Sequence, residues 1–277
     1  MRSDTLRFDL HNHSTYSDGK LSVNELILLA KEKGLAGLAL TDHDCVFGLE
    51  EGFKAAKEQK LFFLNGVEVS TFYKGQTVHI VTFFKHNKVP QAMYDYSLRL
   101  TQTRIERAKK MLKLIEDIYH VNIDYDYIYK SGSVITRGNM FQAIMRANPN
   151  LDKEEASAMV SNDSKAYIPA SKLDTVSGLK MIHDCGGIAI LAHPTLIKRE
   201  LLEEIIKLGF EGIESRYPLN KEGEEEYFRS LASKYNLVNS AGSDYHGDFK
   251  HADLGTSTVS KEELEKILKL MEVTYED

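Results

Sequence analysis

Apolar and polar positions alternate in a regular order from the N-terminus. Leu6–Leu10 reads as a strand that leads into the polar loop His11–Lys20. A helix follows from Ser22. Ser22 and Glu25 make a capping-box pair, Leu26, Leu29, Ala30 and Lys33 run along the helix, and Gly34 can close it. Leu35–Thr41 is a continuous apolar run of strand length. Strand, helix and strand in this order predict a βαβ beginning and a parallel sheet. A helix over residues 48–58 and a third strand, Leu61–Ser70, come next. A turn at Lys74-Gly75-Gln76 and a return strand Thr77–Phe84 predict a hairpin.

The pattern changes at Val89. From there to about Lys172 the chain reads as helical and polar. Leu98, Ile105, Met111, Leu112, Ile115, Ile118 and Tyr119 mark one face of a long helix. Arg104, Arg107, Lys109, Lys110 and Lys113 lie on its other side and read as a solvated face. Further helices are expected near Asn139 and over Asp152–Ser161. The α/β pattern then resumes. It gives a helix over 175–185, strand Ile188–Ala192, helix Glu200–Leu208, strand Phe210–Glu214, a helix over 221–235 and strand Leu237–Ala241. Ser260 and Glu263 form a second capping box at the head of a last helix. Three segments result: 1–88, 89–172 and 173–277, the middle one an insertion expected to pack over the mouth of the α/β core.

Composition narrows the class. With 277 residues, 42% of them hydrophobic, the chain can bury a full core. A net charge of -6 argues against a broad nucleic-acid-coating or DNA-binding surface, though a local basic pocket for phosphate stays open. Cys45 and Cys185 form no CxxC pair and suggest no disulfide framework. No apolar run approaches 18 residues, so a protein without a membrane segment in a reducing cytoplasm is expected.

The chemistry gathers at the predicted strand ends. His11 and His13, two apart, can aim two imidazoles at one site. Asp18 follows in the same loop. His43 ends the second strand in Thr41-Asp42-His43-Asp44, where Asp42 or Asp44 can fix its tautomer or cap the next helix. Glu68 is an acid between Val67 and Val69, costly unless paired or on a metal. His79 sits on the return strand, His193 before Pro194 at another strand end, and Asp244 and His246 repeat the two-residue spacing. These nine exceed what one ion takes and suggest two or three. Mixed imidazole and carboxylate ligands suit Mn, Fe or Zn, and multinuclear sites of this kind favour hydrolysis at phosphorus.

HNHSTYSDG, TDHD, GVEVS, VHIVTF, ILAHP and AGSDYHG resemble the successive motifs of the PHP family, named after polymerase and histidinol phosphatase. The resemblance implies a distorted (β/α)7 TIM-like barrel with two or three divalent ions. It implies that His11, His13, Glu68 and Asp244 hold one ion and that Asp18, His43 and His193 serve a second. Glu68 would bridge to a third with His79 and His246. Within the family the chain resembles the branch acting on nucleoside 3',5'-bisphosphates or on the 5' end of short RNA. The branch has a segment like GRPHFA where this chain has Thr136–Phe141. There Arg137 matches as a phosphate contact and Asn139 replaces a histidine; Arg216 is a second candidate anion contact.

The expected reaction is hydrolysis of a phosphate ester by a metal-bound hydroxide. Asp244 would assist deprotonation if it keeps a free oxygen, and His246 or His193 would serve the leaving oxygen. A small phosphorylated substrate, nucleotide or short RNA, is the expected partner. Histidinol phosphate, a sugar phosphate or a cyclic phosphodiester is the alternative, and a non-enzymatic metal-binding module is the reading from another class.

Overall fold

The computed structural model describes residues 6–130, 135, 137–169, 172–248 and 251–275. They divide into two compact units: the two ends of the chain, up to Ser97 and from Lys172 on, and Leu98–Ser171 between them. Thr136 lies outside the described residues.

The first unit begins with β1 (Phe8–Asp9), α1 (Val23–Glu32), β2 (Gly37–Leu40), α2 (Leu49–Gln59), β3 (Phe62–Tyr73) and β4 (Gln76–Phe84). Both expected capping boxes form, Ser22 with Glu25 on α1 and Ser260 with Glu263 on the last helix. Each satisfies two backbone N–H groups that the helix end leaves open. β1, β2 and β3 pair in parallel. β3 and β4 form the expected antiparallel hairpin, turning through Lys74 and Gly75, both at positive φ.

Between the halves of the barrel unit lie α3 (Gln91–Tyr119), α4 (Tyr125–Lys130), α5 (Arg137–Ala147) and α6 (Lys153–Met159). The division between units falls inside α3. Its first turns belong to the barrel unit, where Met93 is buried in that unit's core. The helical unit has a core of its own, built on Ala108, Met111, Leu112, Ile115, Ile128, Met140, Ala143 and Ile144. Leu98 and Ile118, expected on the buried face of α3, are 50% and 37% exposed, and Ala108 is buried. The buried stripe of α3 is therefore narrower than its apolar residues suggest.

The barrel resumes with β5 (Leu173–Asp174), α7 (Thr175–Asp184), β6 (Gly187–Leu191), α8 (Arg199–Ile206), β7 (Gly212–Arg216), α9 (Glu224–Tyr235), β8 (Val238–Ala241) and α10 (Lys261–Met271). The strand order is β1-β2-β3-β4-β6-β7-β8, with β5 paired to β3 off this path. Leu10 N donates to the Ala241 carbonyl at 3.2 Å, so the last strand returns to the first and the sheet nearly closes. Among the described residues no helix is long and apolar enough to cross a membrane.

The strand period of two sorts the core into two layers. Phe8, Leu10, Ala39, Leu64, Val81, Phe83, Ile188 and Ile190 line the interior, joined by Leu264, Ile267, Leu268 and Met271 of α10. Leu38, Leu40, Phe63, Val67, Val69, Ile80 and Leu191 face outward against the surrounding helices. Each fully buried aliphatic or aromatic side chain contributes about 1.5–3 kcal/mol. The same alternation fixes the site. Leu64, Gly66 and Glu68 share one side of β3, as Phe83, Val81 and His79 share one side of β4. Glu68 and His79 are thus the upward continuation of the apolar interior.

Candidate metal centre

Every one of the nine predicted ligand positions lies at the carboxyl end of a barrel strand or, for Glu68 and His79, inside the hairpin β3–β4. Glu68 is the centre. It is fully buried, and five imidazoles surround its carboxylate. Oε2 stands 3.2 Å from His11 Nε2, 3.2 Å from His13 Nε2 and 3.0 Å from His43 Nδ1. Oε1 stands 3.0 Å from both His79 Nδ1 and His193 Nε2.

The remaining ligands gather on either side. Asp244 Oδ1 is 3.0 Å from His13 Nε2 and 3.4 Å from His11 Nε2. Asp18, which is 55% exposed, points Oδ1 at His246 Nε2 at 3.3 Å and lies 3.8–3.9 Å from His13 and His43. His79 Nδ1 and His193 Nε2 are 3.3 Å apart. The predicted ligands fall into three groupings: His11, His13, Glu68 and Asp244; His13, Asp18, His43 and His246; and His79 with Glu68, beside His43 and His193; a fourth joins Asp244 and His246 to His251. The first agrees with the expectation. In the second and third His193 and His246 change places, because His193 reaches Glu68 and His246 reaches Asp18.

The donor set fits divalent ions, on an observation independent of any relative. His11 Nε2, His13 Nε2, His43 Nδ1, Glu68 Oε2 and Asp244 Oδ1 are all buried and stand close to one another without an aligned hydrogen bond, and His13 Nδ1 and His193 Nδ1 make none either. A buried polar atom without a partner costs about 1–3 kcal/mol. Several of them converging on one point are compensated by a cation bound among them.

Electrostatics say the same. Burial works against a charge on His11 and His13, but Glu68, Glu214 and Asp244 outweigh it for His11, and bonds to Asp244 and Glu68 lift His13 to about 10. Burial alone would raise Glu68 and Asp244; the surrounding histidines hold both well below the usual carboxylate range. Partial burial would likewise raise Asp18, and His246, His43 and His13 hold it down. His43 goes the other way: burial pushes it down to about 4, leaving a neutral ring with a free lone pair.

Neighbouring residues aim the ligands. Glu214 on β7 accepts from His11 Nδ1 at 3.2 Å and from the His193 backbone N–H at 2.8 Å, which turns His11 Nε2 into the site. Asp9 lies beneath, accepting from the backbone N–H groups of Ser243 at 3.0 Å and Gly255 at 2.8 Å. Burial pushes Asp9 up to about 6. Asp42 neither orients His43 nor caps α2. It accepts from Ser14 N, Ser14 Oγ and Ser17 Oγ at 2.6–2.7 Å and so shapes the loop that carries Asp18. Asp44 accepts from Ser70 N and Tyr96 Oη, and α2 begins at Gly48 with no side-chain cap. Asp44, His193 and Asp244 all have positive φ, a conformation that non-glycine residues hold only where the surroundings enforce it. Gly19 and Gly242 permit the close packing beneath: a Cβ there would stand 2.5 Å from the His13 carbonyl and 2.2 Å from His11 Cβ.

Two expectations are corrected. Arg216 is not an open anion contact. Its guanidinium donates to Glu225 Oε1 and to the Thr258 carbonyl, because a bulge between Glu214 and Arg216 breaks the strand alternation. Asp244 does not keep a free second oxygen, since Oδ2 accepts from Tyr217 Oη at 2.9 Å. Arg137 is exposed at the head of α5 in the helical unit, with its guanidinium 5.7 Å from the Tyr167 ring centre. Asn139 stands one turn's half further on the same helix, partly buried.

Sequence reading missed Glu214, Tyr217, Asp9 and His251. Glu214 carries the signal that identified Glu68, an acid in an apolar strand. His251 stacks on His246 at 3.9 Å, and its Nδ1 pairs with Asp248 at 2.8 Å; nothing in its local sequence distinguishes it.

Comparison with known proteins agrees with this geometry. The sequence profile of the PHP domain matches residues 9–172. The chain is 30% identical to a 5'-3' exoribonuclease of Haemophilus influenzae over 262 residues, covering 91% of this chain and 94% of that protein. It is 31% identical to a 3',5'-nucleoside bisphosphate phosphatase of Chromobacterium violaceum, covering 86% of each. A crystal structure from Bifidobacterium adolescentis, assigned as a metal-dependent phosphoesterase, superposes with a TM-score of 0.76 at 26% identity, covering 95% of this chain and 96% of the other. The barrel, its strand-end histidines and carboxylates, and these matches lead to one conclusion: the chain belongs to the PHP domain family.

Proposed function

We propose that this protein is a metal-dependent phosphoesterase that hydrolyses a phosphate ester of a nucleotide, a 3',5'-bisphosphate or the 5' end of short RNA. The observation that carries the reading is the buried convergence of ligand atoms of His11, His13, Glu68 and Asp244, close together without an aligned hydrogen bond among them. Divalent ions bound there supply an activated water near neutral pH and neutralise phosphoryl oxygens. The ligand set is proposed as His11, His13, Asp18, His43, Glu68, His79, His193, Asp244 and His246, taking two or three Mn, Fe or Zn ions.

The chain's own residues divide the work. Glu68 offers one oxygen to each side of the cluster and ties the groups together. Glu214 and Asp9 keep His11 and the Ser243–Asp244 turn in place. Asp18 is the half-exposed ligand, so it stands nearest to an arriving substrate. His193 and His246 are the proposed partners of the leaving oxygen. Arg137 is proposed to bind the substrate phosphate through its planar fork of donors, and Asn139, two residues on along the same helix, is the other proposed substrate contact. The exoribonuclease and bisphosphate phosphatase relatives, each matched over most of its length, support the nucleotide class.

The test is phosphate release by Mn-loaded protein on adenosine 3',5'-bisphosphate, AMP, a 5'-phosphorylated RNA pentamer, histidinol phosphate and a cyclic phosphodiester. The proposal expects the bisphosphate or the RNA to be preferred. Preference for histidinol phosphate or the cyclic ester would overturn the nucleotide assignment. No turnover on any of them with ions bound would overturn the phosphoesterase reading.

A further inference from the structure

Six strands of the seven-strand order lead to predicted ligands; β7 leads to none. Yet β7 and the residue that follows it touch three of them. Glu214 meets His11 and the His193 backbone, and Tyr217 donates its O–H to Asp244 Oδ2 at 2.9 Å. Tyr217 is only 6% exposed, and its ring lies 5.5 Å from that of His193.

The two oxygens of Asp244 therefore have different surroundings. Oδ1 faces His13 and His11 and has no in-line donor. Oδ2 accepts from the Tyr217 phenol, whose ring is buried against His193. A carboxylate free at both oxygens can chelate a cation through both. One with Oδ2 engaged presents a single oxygen.

We propose that Tyr217 is a positioning residue that restricts Asp244 to one-oxygen coordination of the ion shared with His11, His13 and Glu68. This rests on the reading of Asp244 as a ligand. An ion held there would then keep one more position for water or a substrate oxygen than with Asp244 bound through both oxygens.

The test uses Tyr217→Phe, which keeps the ring against His193 and removes only the O–H. Cobalt(II) is titrated into metal-free parent, Y217F and D244N, with affinity and the visible d–d spectrum as readouts. The proposal expects Y217F to bind at the tight site no more weakly than the parent, because Asp244 can then chelate through both oxygens. Its absorption should also be less intense, as the second oxygen joins the ion and coordination number rises. A parent-like spectrum in Y217F, whatever its affinity, would overturn it. If D244N leaves both unchanged, the underlying ligand reading fails, and the proposal with it. Should Y217F not fold, a Mn-soaked crystal of the parent decides: Asp244 bound through Oδ1 alone supports the proposal, and both oxygens on the ion contradict it.

Discussion

The barrel unit and the helical unit bury different things. The helical unit's core is Ala, Met, Leu, Ile and Val, and among its described residues no buried side-chain polar atom lacks a partner. Only one of the ten histidines, His120, falls within it. The barrel unit buries Glu68, His11, His13 and Asp244 crowded together without aligned hydrogen bonds between their facing atoms, beside an equally apolar interior. Both solve the packing problem; only the barrel carries a cost that folding does not explain. Single hydroxyl and amide atoms of the barrel unit, such as Thr82 Oγ1 and Asn239 Oδ1, also lack a partner, so the difference that marks function is the convergence of imidazole and carboxylate atoms at one place.

The comparison can be broken by substitutions that separate stability from ion content. The largest effect is expected from Glu68→Gln. It removes a carboxylate that five histidines share, so bound ions should fall below one per chain and phosphate release should drop by about 10⁴-fold or more, about 5 kcal/mol of barrier lowering. Elemental analysis and initial rates read both. Ile144→Ala in the helical core should do the opposite. It should cost about 2–5 kcal/mol of stability in denaturant melts while ion content stays that of the parent.

A smaller effect is expected from Glu214→Gln, which weakens the bond that aims His11; ion affinity should fall about 10–100-fold by calorimetry. Proton linkage sharpens the electrostatic side. His13 is held up to about 10 in the ion-free site, so it carries a proton at pH 7.5 that an ion must displace. The sign follows. Apparent affinity should rise with pH, by about tenfold per unit for each proton released, until pH passes the His13 value. Calorimetry in buffers of different ionisation heat measures the protons. The smallest effect is expected from Arg216→Ala. Its ion pairs with Glu225 are partly exposed, so the cost should be within about 1 kcal/mol of stability. KM for the phosphate substrate should not move.

Much of this was legible in the sequence. His11, His13, His43, Glu68, His79, His193, Asp244 and His246 stand out because strand-end loops and period-two alternation bring them to one end of a mixed, mostly parallel sheet. The βαβ opening, the hairpin and both capping boxes follow from local rules. What could not be read depends on non-local geometry. A bulge redirects Arg216 without leaving a mark in the residues around it. The grouping of His193 with Glu68 and of His246 with Asp18 depends on how loops distant in sequence meet. Leu98 and Ile118 carry the right residue type for a core but fall outside the stripe that α3 buries. Glu214 carried a usable signal, an acid within an apolar strand; Tyr217 carried none.

The central claim is that the barrel's strand-end cluster holds the ions that do the chemistry. It is tested most directly by measuring bound metal per chain and phosphate release from adenosine 3',5'-bisphosphate in parallel, on parent and Glu68→Gln protein reloaded with Mn and freed of excess. The account predicts two or three ions and turnover in the parent, with both lost together in the variant. Equal ion content in the two proteins, or turnover that survives the loss of the ions, would contradict it.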